Sequence, residues 1–89
     1  MKAVITVTGR DSVGIIAAVS AYCAERDVNI QDISQSVLGE FFAMIMLTDI
    51  DKMKGSFADF ADGLSAMGRA RRLEIRAMHE DIFNTMHHI

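Results

Sequence analysis

At 89 residues the chain is one small domain, and 51% of those residues are hydrophobic, which is rich for a volume that buries only about 60% of its unfolded surface. With 9 lysines and arginines against 12 aspartates and glutamates the net charge is −3, which argues against retention on nucleic acid or anionic lipid by bulk charge. The surplus apolar surface is expected to meet a second copy of the chain.

The single cysteine, Cys23, has no partner for an internal disulfide. No apolar run approaches the ~20 residues that cross a bilayer, and the stretch before Thr6 is too short for a signal segment. The expectation is a soluble, cytoplasmic protein with no membrane contact.

Residues 2–8 are β-branched and alternate loosely, a strand that ends at Gly9. Over residues 12–26, Ile16, Val19 and Cys23, flanked by Ile15 and Tyr22, recur at helical spacing. Residues 28–38 carry Ile30, Ile33, Val37 and Leu38 among Gln and Ser, a partly exposed strand. Gly39-Glu40 is a short turn, and residues 41–50 follow as a strand apolar on both faces, which reads as buried. The short turn makes these two strands a hairpin.

Residues 56–68 give the clearest helix. Phe57, Phe60, Ala61, Leu64 and Met67 form one stripe, with Ser56 as N-cap ahead of Asp59 and Gly68 at the end. Residues 71–78 alternate, with Leu73, Ile75 and Ala77 against Arg72, Glu74 and Arg76. Residues 80–89 place Ile82, Phe83, Met86 and Ile89 on one face of a tail helix. The order β-α-β-β-α-β with right-handed crossovers predicts a ferredoxin-like α+β sandwich. Its four-stranded antiparallel sheet carries two helices on one face and leaves the other open.

The stretch Gly9-Arg10-Asp11-Ser12-Val13-Gly14-Ile15 joins the first strand to the first helix. Gly9 frees the backbone for a sharp exit, Gly14 permits close approach, and the helix mouth offers unpaired N–H groups with a partial positive charge. Such a concavity suits a carboxylate. It is neither a phosphate-binding Lys-Ser/Thr loop nor a dinucleotide fingerprint, since Asp11 stands where the middle glycine belongs. Asp11 or Ser12 can equally serve as a plain helix cap.

That loop, Asp27-Val28-Asn29-Ile30 at the second strand, and Phe41-Phe42-Ala43-Met44-Ile45-Met46-Leu47 as third strand together resemble the ACT domain, a small-molecule-sensing regulatory module. The tail from His79 to Ile89 is similar to the ending of short, stand-alone bacterial and archaeal ACT proteins. The resemblance implies an ACT domain over residues 1–78 and an amphipathic tail over 79–89. It implies a homodimer that binds an amino acid or similar metabolite between two copies and passes that state to a regulated protein. Gly9, Arg10, Asp11, Ser12, Val13, Gly14 and Ile15 would come from one copy, and Asn29 and Ile30 from the other. Asp11 would hold an ammonium or orient the loop, the backbone N–H groups near Val13 and Gly14 would meet a carboxylate, and Asn29 would close the clamp. Gly9 and Val13 differ from many serine- or phenylalanine-sensing relatives, so a ligand class is implied and not one ligand.

Catalysis finds no support: His79, His87 and His88 all lie in the tail, without a nucleophile at any recognisable spacing. Cys23 reads as a small core hydrophobe. No metal or cofactor is expected. Of the seven methionines, Met44, Met46 and Met67 are read as core and Met86 as part of the tail stripe. An RNA-binding sheet would need exposed aromatics on its central strands, and the first strand has none; Arg69, Arg71, Arg72 and Arg76 read as a solvated face. A ligand-free pairing module with the same fold is the alternative reading.

Overall fold

The computed structural model describes residues 1–10 and 13–86. Along the chain run β1 (Lys2–Arg10), α1 (Ile15–Glu25), β2 (Asn29–Leu38), β3 (Phe41–Asp49), α2 (Phe57–Ala70), β4 (Leu73–His79) and α3 (Glu80–Met86). The sheet order is β2-β3-β1-β4, and every neighbouring pair is antiparallel. Each helix therefore crosses over one intervening strand, as the ferredoxin-like order requires.

One sheet face holds the core. Ala3, Ile5 and Val7 of β1, Phe42, Met44 and Met46 of β3, and Leu73 and Ile75 of β4 are buried with Ile15, Val19 and Cys23 of α1 and Phe60 and Leu64 of α2. Thr48, fully buried on the same face, donates its hydroxyl to the Ala3 carbonyl oxygen at 2.8 Å. Between the helices, the Tyr22 hydroxyl donates to the Phe60 carbonyl oxygen at 2.9 Å, and the Tyr22 and Phe60 rings lie 5.5 Å apart.

The expectation of a third strand buried on both sides does not hold. β3 alternates, with Phe42, Met44, Met46 and Thr48 inside and Phe41, Ala43 and Ile45 outside. The outward side chains lie on the face that α1 and α2 leave bare, so their apolar character marks an open surface and not a second core. β2 is exposed along nearly its whole length because it forms the sheet edge, paired only with β3.

Smaller corrections follow from packing. β1 does not stop at Gly9 but runs to Arg10, because Gly9 packs against β4: a Cβ there would stand 3.2 Å from the Arg72 carbonyl oxygen. α1 starts at Ile15, and Ile15 rather than Ile16 faces the core with Val19 and Cys23. In α2 the Ser56 hydroxyl accepts from the Asp59 N–H at 3.1 Å, the expected cap, but Gly68 lies inside the helix and is buried against β4. The turn after α2 puts Arg72 in the left-handed region at φ 60°, and β4 begins only at Leu73. α3 buries none of its residues; the tail positions His87, His88 and Ile89 lie outside the described residues.

Candidate functional site

α1 opens at Gly14, whose φ of 86° is left-handed, a conformation glycine adopts without steric cost. Among the described residues no atom lies within 4 Å of where its Cβ would be, so within one chain it is the left-handed backbone that calls for glycine here. Gly14 is itself the N-cap and supplies no capping side chain. Asp11 and Ser12, read from the sequence as possible helix caps, lie outside the described part of the chain. The first intrahelical bond runs from the Ala18 N–H to the Gly14 carbonyl at 2.9 Å. The N–H groups of Ile15, Ile16 and Ala17 precede that bond and lie at the helix's electropositive mouth.

Beside that mouth lies a cavity of about 290 Å³, lined by Gly14, Ile15, Ile16 and Ala17 of α1, Gln35 and Val37 of β2, and Phe42 of β3. Its volume sits at the lower end of the roughly 300–1,000 Å³ usual for small-molecule sites. Apolar walls, one carboxamide and a row of peptide N–H groups can receive a small molecule with an anionic end and an apolar body. Val13 stands exposed before it, and Arg10, at the end of β1, faces Glu40 at 3.9 Å.

Gln35, Val37 and Phe42 were not among the residues assigned to the site from the sequence. A signal for two of them was there: a two-residue turn at Gly39-Glu40 fixes Val37 opposite Phe42, as observed. That one side of the hairpin lies beside the loop depends on the crossover and cannot be seen locally.

Asn29 and Ile30 occupy the other end of the sheet. Asn29 pairs with Asp49, whereas Arg10 pairs with Phe41, a separation of roughly 27 Å at the usual strand rise. Asn29 lines a separate cavity with Ala24, Asp27, Val28 and Lys52, where Lys54 Nζ lies 3.2 Å from Asp27. One chain alone does not unite the loop with Asn29.

Nucleophilic groups are held in check. Burial pushes the Cys23 thiol up to about 11, with the Arg26 guanidinium opposing the shift, so near neutral pH it is a protonated core side chain. Burial also raises the Tyr22 hydroxyl above its ordinary range, again opposed by Arg26, which lies 3.6 Å over the Tyr22 ring. Among the described residues, no group of three or more His, Cys, Asp or Glu side chains is placed to hold a metal ion, and no helix is long and apolar enough to cross a membrane.

Fold and cavity together define a ferredoxin-like sandwich with a small ligand-sized hollow at its first helix mouth, a class found both alone and as part of larger chains. A family model for the ACT domain matches residues 2–77. A UPF0237 protein of Clostridium acetobutylicum is 46% identical over 89 residues, the whole of both chains. An ACT domain protein from Streptococcus pneumoniae is similar in structure, with a TM-score of 0.80 and 41% identity over 93% of each chain. A formyltetrahydrofolate deformylase from Pseudomonas syringae pv. tomato shares the fold at a TM-score of 0.78 and 20% identity, over 88% of this chain and 27% of its own. The chain belongs to the ACT domain family, a regulatory domain type.

Proposed function

We propose that the chain is a non-catalytic sensor, a homodimer that binds an amino acid or similar small metabolite where two copies meet. The observation that carries this reading is the placement of the two half-sites at opposite ends of an unpaired edge strand. β2 is ten residues long, and its stretch from Ile33 to Leu38 has no charge and no proline. Exposed edges of that kind are normally blunted by charge or proline, as the Glu74 and Arg76 side chains do on β4. A second β2 is the natural cover.

Antiparallel pairing of two β2 strands about a two-fold near Ile33 and Ser34 sets the Val37 end of each beside the Asn29–Ile30 end of the other. The helix mouth and cavity of one copy then adjoin Asn29 of its partner, and the two-fold makes two equivalent sites. In each, the N–H groups of Ile15, Ile16 and Ala17 take the ligand carboxylate, with Asp11 and Asn29 on the ammonium. Ile15, Val37 and Phe42 receive the side chain. The small cavity favours compact ligands, and the occupied state is read by a partner protein through a change in dimer geometry.

Thermal-shift measurement against the twenty common amino acids tests this. A ligand at 100-fold its Kd stabilises the folded dimer by about 2.7 kcal/mol, and Asp11→Ala or Asn29→Ala should abolish the shift. The same edge strand also suits a pairing module without a ligand; a protein that dimerises but shifts with none of the twenty is that module and not an amino-acid sensor.

A further inference from the structure

The open sheet face carries an apolar hollow at one end, and beyond its other end α3 leaves two large apolar side chains exposed. The hollow, about 360 Å³, is lined by Thr8, Gly9, Ser36, Leu38, Phe41 and Ala43, of which Leu38 and Phe41 are 80% and 63% exposed. At the far end of β1, α3 follows directly on β4, whose last residue His79 pairs with Ala3. On α3, Ile82 and Met86 lie four residues apart on one helix face and are 52% and 62% exposed. α3 lies against β1 and β4 of its own chain with Phe83 half-buried, and Ile82 and Met86 remain turned to solvent, free to meet a second surface.

The two features cannot meet within one chain. From Ala3 to Gly9 along β1 is six residues, roughly 20 Å, and the described residues of α3, Glu80–Met86, span only about 10 Å. A second copy removes the mismatch. A two-fold axis perpendicular to β1, with the open faces opposed, exchanges the ends of the sheet and sets each α3 at the other copy's hollow.

Charge placement agrees with that exchange. α3 begins with Glu80 and Asp81, and Arg10 stands at the hollow, in register with Phe41. The ion pair of Arg10 with Glu40 is long, 3.9 Å, and exposed on both sides, so it holds Arg10 weakly and leaves the guanidinium available to acids from a partner. Reciprocally, Lys2 lies at the α3 end and Glu40 at the hollow end of the same face.

We propose that α3 of one copy seats Ile82 and Met86 in the Leu38–Phe41–Ala43 hollow of a second copy, with Glu80 and Asp81 turned toward that copy's Arg10. This contact uses the open face and not the β2 edge, so it is distinct from the pairing that builds the metabolite site, and edge pairing and face pairing together make a tetramer with two kinds of two-fold axis.

Cross-linking between two differently substituted chains tests it. Met86→Cys is introduced in one full-length chain and Ala43→Cys in another; Cys23 is buried and stays out of the reaction. After mixing and treatment with a short bis-maleimide, a covalent dimer holding one of each chain is expected, several-fold above that from either chain alone. Adding Ile82→Glu to the Met86→Cys chain should reduce it at least several-fold while circular dichroism shows an intact fold. Equal dimer in the mixed and single-chain samples, or cross-linking indifferent to Ile82→Glu, overturns the proposal. Repeating the reaction in chains carrying Ser34→Lys, at the centre of the β2 seam and outside the residues that line the hollow, separates the two interfaces: retained cross-linking supports an independent face contact, and its loss assigns the product to the edge and overturns the α3 contact.

Discussion

A Cβ placed on Gly68 would stand 2.8 Å from the Leu73 carbonyl oxygen, with Ile75 Cγ1 at 2.9 Å. α2 thus rests directly on the backbone of β4, and the contact is closest where the helix is about to turn into the strand it covers. Replacing Gly68 by Ala gains about 1 kcal/mol of helix propensity, but overpacking against a backbone costs typically 1–3 kcal/mol. The clash is with a carbonyl that cannot rotate away, so overpacking wins. We expect Gly68→Ala to lose up to about 2 kcal/mol net, read as a Tm fall of roughly 4–8 °C per kcal/mol in a thermal melt.

The same glycine shows where sequence reading succeeds and where it stops. The stripe of α2 was legible because Asp59, Asp62 and Arg69 oppose Phe60 and Leu64 around the helix, and Ser56 caps it as its residue type suggests. Gly68 read as a stop because glycine commonly is one; the close approach of β4 belongs to tertiary packing. In α1 the phase was ambiguous because Ile15, Ile16, Ala17, Ala18 and Val19 are apolar in succession, and only contact with the sheet selects Ile15. In β3 the run from Phe41 to Leu47 is apolar at every position, so alternation could not show which face is bare. Of the site, the loop was legible in its glycines, whereas Gln35, Val37 and Phe42 reach it through the hairpin.

Thr48 gives a second measurable contact. Its hydroxyl lies wholly inside and serves the Ala3 carbonyl oxygen across the β1–β3 pair. Thr48→Val keeps shape and volume and removes the bond, leaving a buried acceptor short of a donor. A loss of about 1 kcal/mol is expected, seen in urea denaturation as a lower midpoint with an unchanged slope. An unchanged midpoint would show the Ala3 carbonyl to be fully satisfied by the strand ladder.

The Cys23 thiol sets a pH dependence with a definite sign. Folding raises it from an ordinary value near 9 to about 11, so the native state holds its proton more tightly than the unfolded chain. Its contribution to stability is complete below pH 9 and is lost as pH rises from there through 11. The stability difference between the wild-type chain and Cys23→Ala should therefore be constant from pH 6 to 8 and shrink steadily above pH 9, taken from urea midpoints at each pH. In the same range a thiol reagent should modify the folded wild-type chain far more slowly than the unfolded one. Fast labelling at pH 8 would mean that the α1 core opens readily.

The β2 edge can be blunted without touching the core. Ser34 and Ser36 lie outward on β2, opposite Ile45 and Ala43 of β3, and both are exposed. Lysine at these two positions leaves the β2–β3 hairpin intact and sets like charges against each other across a two-fold seam near Ile33 and Ser34, the device by which natural edges avoid pairing. Ser34→Lys with Ser36→Lys should lower the particle mass in light scattering to half or less, since Ser36 also borders the open-face hollow, with far-ultraviolet dichroism unchanged. Because Asn29 of the partner would no longer reach the helix mouth, any amino-acid thermal shift should vanish with the pairing, although every residue of the loop and its cavity is untouched. A chain that keeps its full mass pairs through some other surface, and a chain that falls to half mass yet still shifts with ligand carries its site within a single copy.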